Sequence, residues 1–251
     1  MRKPVMLSKR CSRMTDRVYP TVIVLVRLLW RFLGLRMTIK GSEYIPRSGG
    51  AILAINHVGY LDFAISGTAA LPAKRYVRYM AKKQIFDNKI AGPLMRGMHH
   101  ISVDRESGSA SFVAALRALK AGEIVGIFPE ATISKSFEIK TLKSGAARLA
   151  IGANVPILPT IVWGSQRIWT KGRKRDFGRN KFPISIYVGA PLYFTRETEV
   201  ERAEAEIKSA LESLLRKAQS EYPDSHVGQW WAPARLGGTA PTLEDVERER
   251  G

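Results

Sequence analysis

The chain has 251 residues, 40 Lys and Arg against 22 Asp and Glu, a formal net charge of +18, and 45% hydrophobic residues. This length and apolar content suit one α/β domain with appendages and exclude a disordered chain. The single cysteine, Cys11, excludes a disulfide framework, and one cysteine with four histidines supplies too few soft ligands for a dedicated zinc site. The charge would attract nucleic acid, an anionic lipid surface or a phosphorylated substrate, and composition does not choose among them.

Residues 1–40 form a basic and apolar N-terminal segment. No apolar stretch in the sequence reaches the roughly 18 to 20 residues of a bilayer-spanning helix, and Arg27 and Arg31 interrupt this one. We therefore predict an amphipathic helix in a membrane interface, with Trp30 and Phe32 directed toward lipid and the arginines toward headgroups. The alternative is a helix packed on the domain.

From residue 41 onwards, short apolar strands alternate with helical patterns. The candidate strands are Ala51–Asn56, Arg75–Ala81, Ile101–Val103, Ile124–Phe128, Pro156–Val162 and Ile184–Val188. The candidate helices are Leu61–Ala70, Ser109–Ala121, Lys143–Ala153 and Glu197–Ser220. This alternation predicts a single α/β domain over residues 41–222, with a mostly parallel or mixed sheet flanked by helices. Residues 223–251 are predicted to be a C-terminal tail.

His57 and Asp62 are candidates for acid–base chemistry. His57 follows an apolar strand and Asp62 precedes a helix, so the two can meet around a strand–turn–helix corner that Gly59 makes accessible. Asp62 would then fix the tautomer of His57 and leave the second ring nitrogen free as a base. The sequence has no Gly-x-Ser-x-Gly elbow, so the nucleophile would be a hydroxyl or water of the substrate. A structural histidine is the alternative.

Three more segments strengthen the catalytic interpretation. Arg105 ends an apolar strand segment, where it could bind a phosphate, and Glu130 emerges where another strand closes at Pro129. With the His57 segment, these residues belong to an ordered set: Asn56–Asp62, Val103–Arg105, Phe128–Thr132 and Val155–Pro159. The set resembles the four motifs of the glycerolipid acyltransferase family, the 1-acylglycerol-3-phosphate acyltransferases with an Asn-His-x4-Asp signature. The resemblance covers about residues 40–192.

The resemblance implies a catalytic mechanism. His57 would deprotonate the acceptor hydroxyl, which then attacks an acyl thioester, and Asp62 would orient His57. The acyl donor would be acyl-CoA or an acyl carrier protein as co-substrate, with no bound cofactor and no metal. The acceptor would be lysophosphatidic acid and the product phosphatidic acid, in phospholipid synthesis.

The resemblance also implies binding roles. Lys82 and Arg105 would hold the phosphate of the acceptor, Glu130 and Thr132 would line the acceptor site, and the fourth motif would shape the acyl or carrier end. The third motif departs from the family's usual Glu-Gly-Thr-Arg because Ala131 and Ile133 replace the glycine and the arginine. Isoleucine cannot replace a planar cation with five donors. The missing charge could come from a nearby lysine: Lys135, Lys140 or Lys143.

A second basic cluster lies between the last two predicted strands. Its members are Arg167, Lys171, Arg173, Lys174, Arg175, Arg179 and Lys181. The cluster could bind the nucleotide phosphates of coenzyme A, the acidic surface of a carrier protein or anionic lipid, or it could be a solvated loop.

Several functions stay open at this point. Transfer to glycerol-3-phosphate, to another lysophospholipid or to a phosphoinositol glycolipid are alternatives within the enzyme class. A nucleic-acid-binding module and a catalytically silent lipid-surface adaptor are alternatives outside it. No recognisable nucleic-acid-binding motif is present, so we expect no nucleic-acid partner. The expected location is the cytoplasmic side of the cell membrane, as a peripheral or monotopic protein on an anionic surface with a membrane lipid as acceptor.

Overall fold

The computed structural model describes residues 16, 18–104 and 108–248, and these contain a seven-stranded sheet of order β1-β7-β6-β2-β5-β3-β4. The strands are β1 (Arg36–Lys40), β2 (Ala51–Ile55), β3 (Val77–Lys82), β4 (Ile101–Val103), β5 (Ile124–Ile127), β6 (Ile157–Trp163) and β7 (Pro183–Val188). Strands β2 to β6 run parallel, and β7, which pairs with β1 in parallel, is antiparallel to β6. The prediction of a mostly parallel, mixed sheet in one α/β domain is confirmed.

Helices cover both faces of the sheet. They are α1 (Val18–Leu33), α2 (Asp62–Ser66), α3 (Lys83–Asp87), α4 (Ala91–Gly97), α5 (Gly108–Lys120), α6 (Gly145–Ala153), α7 (Val200–Ser220) and α8 (Leu243–Arg248). In β2, Leu53 and Ile55 pack in the cluster with α1 and α2, whereas Ile52 and Ala54 pack in the cluster with α5, α6 and α7. Each strand residue thus points to the opposite face from its neighbour, and both faces are apolar because both are covered.

The predicted elements agree with the structure except at a few places. All six candidate strands are present within one or two residues. The edge strand β1 and the short helices α3, α4 and α8 are not among the predicted elements. The candidate helix over residues 61–70 is the short α2 followed by a 3₁₀ turn, Gly67–Ala70.

Helix α1 is held on the domain at its first turn. The Tyr19 hydroxyl donates to the carbonyl of Val77 at 2.8 Å, and the Tyr19 ring stacks on Tyr76 with centroids 4.4 Å apart. The buried Arg78 guanidinium donates to Asp16, just before the helix, at 2.7 Å. These contacts fix the helix against β3 and leave its opposite face to solvent.

The outer face of α1 is apolar. Val24, Leu25, Leu28 and Phe32 are 57%, 61%, 57% and 69% exposed. Trp30 is buried against the domain, so the prediction that it faces lipid with Phe32 is wrong, because packing on the sheet takes the face that carries Trp30. No described helix has the length and hydropathy needed to cross a bilayer. Residues 1–15 and 17 of the predicted N-terminal segment, Cys11 included, lie outside the described residues.

The described part of the C-terminal segment, residues 223–248, packs on the domain. Trp231 and Ala232 join the core cluster that contains α7, and the side-chain amide of Gln166 donates to the carbonyl of Trp231 at 3.1 Å. The Trp230–Trp231 pair thus lies beside the segment that follows β6.

Candidate active site

The predicted site residues that the structure describes lie near one edge of the sheet. Strands β2 to β6 are parallel, so the segments that follow their carboxyl ends emerge on the same side. His57 follows β2, Lys82 ends β3, Glu130 follows β5, and Ser165 follows β6. The topology therefore juxtaposes residues that lie far apart in sequence.

His57 and Asp62 contact each other across the corner between β2 and α2. Nδ1 of His57 lies 3.0 Å from Oδ2 of Asp62. The His57 side chain is 20% exposed and its ring stacks on Phe128 with centroids 4.3 Å apart. Among the described residues, none makes a hydrogen bond to Nε2 of His57. The ring is thus fixed by the contact of Nδ1 with Asp62 and by the stacking of one face on Phe128. Nε2 is available to a bound molecule.

Asp62 is fully buried and saturated with donors. Its Oδ2 also accepts from the backbone N–H groups of Val58 at 2.7 Å and Gly59 at 2.8 Å. Its Oδ1 accepts from the hydroxyl of Ser165. A buried carboxylate that lacked such partners would be strongly destabilising, so these donors fix both its position and its direction toward His57. Sequence reasoning missed Ser165, which directly follows Gly164 beyond the end of β6.

The side chain of Asn56, the residue between β2 and His57, bonds to the neighbouring strand β6. Its buried side chain accepts from the backbone N–H of Val162 at 2.7 Å and donates to the carbonyl of Val162 at 3.0 Å. The side-chain amide thus pairs with β6 as a backbone group would. The pairing between β2 and β6 therefore continues up to the residue that precedes His57.

Glu130 binds the backbone on two sides. One carboxylate oxygen accepts from the N–H of His57 at 2.8 Å, and the other accepts from the N–H of Lys140 at 3.1 Å. Burial raises the pKa of Glu130 to about 7, against the opposite effect of the two N–H groups. The carboxylate therefore ties the turn after β5 to the backbone of His57, and the backbone occupies both of its oxygens.

Thr132 and Lys140 form the adjoining part of the third motif. Nζ of Lys140 donates to the carbonyl and to the hydroxyl of Thr132, both at 2.6 Å. Ala131, exposed, has φ +60, the left-handed conformation that glycine adopts without strain. Ile133 is buried in the core, and the ammonium group of Lys140 lies at this turn.

Lys82 is the exposed last residue of β3 and pairs in register with Val103 of β4. The next lysine, Lys83, forms an exposed ion pair with Asp104 at 3.1 Å. Arg105, the predicted phosphate ligand, lies outside the described residues.

An apolar cavity of about 300 Å³ adjoins the corner. Leu61 and Phe63, which flank Asp62 in sequence, line it on one side. Ile23 and Trp30 of α1 and Leu94 of α4 line it elsewhere. The cavity therefore extends from the residues beside Asp62 to the inner face of α1.

The described residues contain no group of three or more His, Cys, Asp or Glu side chains that could hold a metal ion.

Comparison with known proteins agrees with this geometry. Residues 36–163, more than half of the chain and including His57, Asp62 and Glu130, match the family model described as acyltransferase. The chain belongs to the acyltransferase family. The resemblance inferred from the four motifs is thereby confirmed.

Named relatives of this acyltransferase include bacterial and plant enzymes. The 1-acyl-sn-glycerol-3-phosphate acyltransferase of Bacillus subtilis is 34% identical over 164 residues, which are 64% of this chain and 77% of that protein. The enzyme of the same name from Limnanthes douglasii is 30% identical over 170 residues, and the alignment spans 57% of its length. The crystal structure of PlsC from Thermotoga maritima, an acyltransferase for 1-acyl-sn-glycerophosphate, is 20% identical with a TM-score of 0.62, covering 86% of this chain and 88% of that one. This likeness shows a shared fold.

Proposed function

We propose that this acyltransferase moves a fatty acyl group from a thioester to the free hydroxyl of lysophosphatidic acid and so forms phosphatidic acid. The observation that carries the proposal is the His57–Asp62 pair, whose Nε2 is available to a substrate, in a corner whose residues Leu61 and Phe63 line an apolar cavity. The names of the Bacillus and Limnanthes relatives support the choice of acceptor. Membership of an acyltransferase family disfavours the nucleic-acid-binding alternative.

The nucleophile is the acceptor's own hydroxyl. The Ser165 hydroxyl beside the pair is fully buried and donates to Asp62, so it does not form an acyl-enzyme. Nε2 of His57 takes the proton as the acceptor oxygen attacks the thioester carbonyl, and Asp62 stabilises the resulting imidazolium. The tetrahedral intermediate then collapses, the carbon–sulfur bond breaks, and the thiolate leaves with the proton from His57.

The remaining predicted residues bind or position the substrates. Lys82 and Arg105 hold the acceptor phosphate, and Lys140 adds a cation beside Thr132 in place of the family's arginine. Glu130 acts through the backbone of His57, as a positioning residue, because the backbone occupies both of its carboxylate oxygens. The apolar cavity between the corner and α1 houses part of an acyl chain.

The exposed apolar face of α1 delivers the site to the acceptor. Leu25, Leu28 and Phe32 enter the interface of the cytoplasmic leaflet, while the basic body of the protein faces anionic headgroups. The protein is thus a peripheral or monotopic protein of the cell membrane.

An acceptor panel tests the proposed function. Purified protein in vesicles receives one acyl-CoA with lysophosphatidic acid, glycerol-3-phosphate, lysophosphatidylcholine or a phosphoinositol glycolipid, and thiol release is measured. We expect the fastest release with lysophosphatidic acid and a loss of about 10²–10⁴-fold in His57→Ala, the usual contribution of a general base. Arg202→Ala, an exposed change on α7, is the control. Vesicle binding without thiol release from any acceptor would overturn the proposal in favour of a lipid-surface adaptor.

A further inference from the structure

A second pocket, of about 620 Å³, opens between the loop after β6 and the C-terminal segment. We call it the arginine–tryptophan pocket. Its lining residues are Arg167, Arg173, Lys174, Arg175, Asp176, Phe182, Gln229, Trp230 and Trp231.

Arg167 forms one wall of the pocket. The Arg167 guanidinium lies between two aromatic rings, 4.4 Å from the centroid of Phe182 and 4.6 Å from that of Trp231. It also donates to the hydroxyl of Tyr222 at 3.1 Å and to Asp224 at 2.6 Å. Arg167 is therefore largely neutralised and serves to hold the loop and the C-terminal segment together.

The rim carries uncompensated charge. Arg173, Lys174 and Arg175 are exposed, and no carboxylate of the described residues lies within ion-pair distance of them. Asp176, the acidic residue of the rim, uses Oδ1 to accept from the N–H of Gly178 and from Asn180. Cations that repel one another beside a cavity are stabilised by a multivalent anion.

The loop that forms the rim of the pocket begins at the catalytic corner. The Thr170 hydroxyl donates to the carbonyl of Val58 at 2.6 Å, and the N–H of Tyr60 donates to the carbonyl of Trp169 at 3.0 Å. The rings of Tyr60 and Trp169 lie 4.7 Å apart. The basic loop thus starts against the turn that follows His57.

We propose that the arginine–tryptophan pocket binds the nucleoside polyphosphate end of a coenzyme A thioester, the acyl donor. A concave site suits a small ligand better than a flat membrane or a convex carrier protein. The rim cations match clustered phosphates, and Arg173, 5.0 Å from the ring centroid of the half-buried Trp230, places a cation beside an indole that can contact a purine. The inference rests on the proposed function and adds the donor class to it.

A binding experiment tests the pocket without turnover. The 251-residue protein is titrated calorimetrically with adenosine 3′,5′-bisphosphate, the nucleotide fragment of coenzyme A. We expect saturable binding that weakens at least about tenfold in the double variant Arg173→Ala/Arg175→Ala, because each removes a charge-assisted contact. The matched control Arg202→Ala/Lys208→Ala removes two cations from exposed α7 and should bind as the wild type does. An unchanged thermal midpoint in both double variants shows that the fold is intact.

Kinetics with three acyl donors tests the pocket assignment separately from the proposed function. In the Arg173→Ala/Arg175→Ala variant the KM for acyl-CoA should rise about tenfold, with kcat and the KM for acyl-pantetheine, which lacks the nucleotide, unchanged. A KM that rises for an acyl carrier protein instead, or a loss of anionic-vesicle binding with unchanged nucleotide affinity, overturns the inference. If wild-type protein transfers acyl groups but adenosine 3′,5′-bisphosphate does not bind, the pocket assignment fails alone. If no donor is consumed, the proposed function fails.

Discussion

The hydroxyl of Ser165 donates to the carboxylate of Asp62, which lies 103 residues earlier in the chain. Because the carboxylate is fully buried, the loss of one donor weakens its hold on His57. In Ser165→Ala we expect kcat to fall about 10- to 100-fold with little change in either KM. Steady-state kinetics in vesicles measures this. Ser185→Ala, a buried serine on β7, is the control, and equal kcat values in the two variants would contradict a role for Ser165 at the site.

The ammonium group of Lys140 lies beside Thr132, where we propose that it binds the acceptor phosphate. Lys140→Met keeps the aliphatic stem and removes the ammonium group that contacts Thr132. We expect the KM for a phosphorylated acceptor to rise about tenfold, the value of one charge-assisted hydrogen bond. Lys143→Met is the matched control because Lys143 is exposed and binds Pro129 through its backbone N–H. If both variants keep the wild-type KM, Lys140 has no part in acceptor binding.

Glu130 should make stability depend on pH. Folding raises the pKa of this carboxyl from 4.5 to about 7, so its contribution to stability is fully present below pH 4.5 and is lost as pH rises through 7. Relative to Glu130→Gln, the free energy of unfolding of the wild type should fall by about 3 kcal/mol over that window. Urea unfolding at several pH values measures the difference. The exposed variant Glu43→Gln should follow the wild type, and parallel curves for Glu130→Gln would contradict the assignment.

Ala131 is strained by its backbone conformation. Its φ of +60 costs an L-residue roughly 1–2 kcal/mol, and a β-branched residue pays more. Because the side chain is exposed, neither a cavity nor a clash complicates substitution. Ala131→Gly should raise the thermal midpoint slightly, the relief of strain being partly offset by unfolded-state entropy, and Ala131→Val should lower it. Differential scanning calorimetry of the Ala131→Gly and Ala131→Val variants measures the thermal midpoints. Equal midpoints for the two variants would exclude backbone strain at this position.

The outer face of α1 should bind membranes. Replacing Leu25 and Phe32 by glutamate removes two apolar side chains from the proposed interface, each worth about 1.5–3 kcal/mol of burial. Cosedimentation with anionic vesicles should weaken by at least about 100-fold. Val227→Glu, at a site 71% exposed on another surface, is the control. Unchanged sedimentation of the α1 variant would place the membrane contact elsewhere.

Apolar patterns predicted the inner strands of the sheet because both faces of those strands are buried. Edge strand β1 has the sequence Arg-Met-Thr-Ile-Lys. It lacks a continuous apolar stretch because four of its five residues are exposed. The corner between His57 and Asp62 was predictable because it is local. Ser165 was not, because a hydroxyl becomes a partner of Asp62 only through the parallel pairing of β2 and β6. The inward position of Trp30 depends in the same way on which face of α1 the sheet takes.

The pairing of β1 with β7 orders events during synthesis. Among the described strands, residues 36–40 pair only with residues 183–187, so the ribosome releases β1 long before its partner exists. The partners of α1 are made much earlier, because Tyr19 bonds to the carbonyl of Val77 and stacks on Tyr76. Helix α1 can therefore dock on β3 while β1 still waits, and closure of this edge of the sheet is a late step of folding.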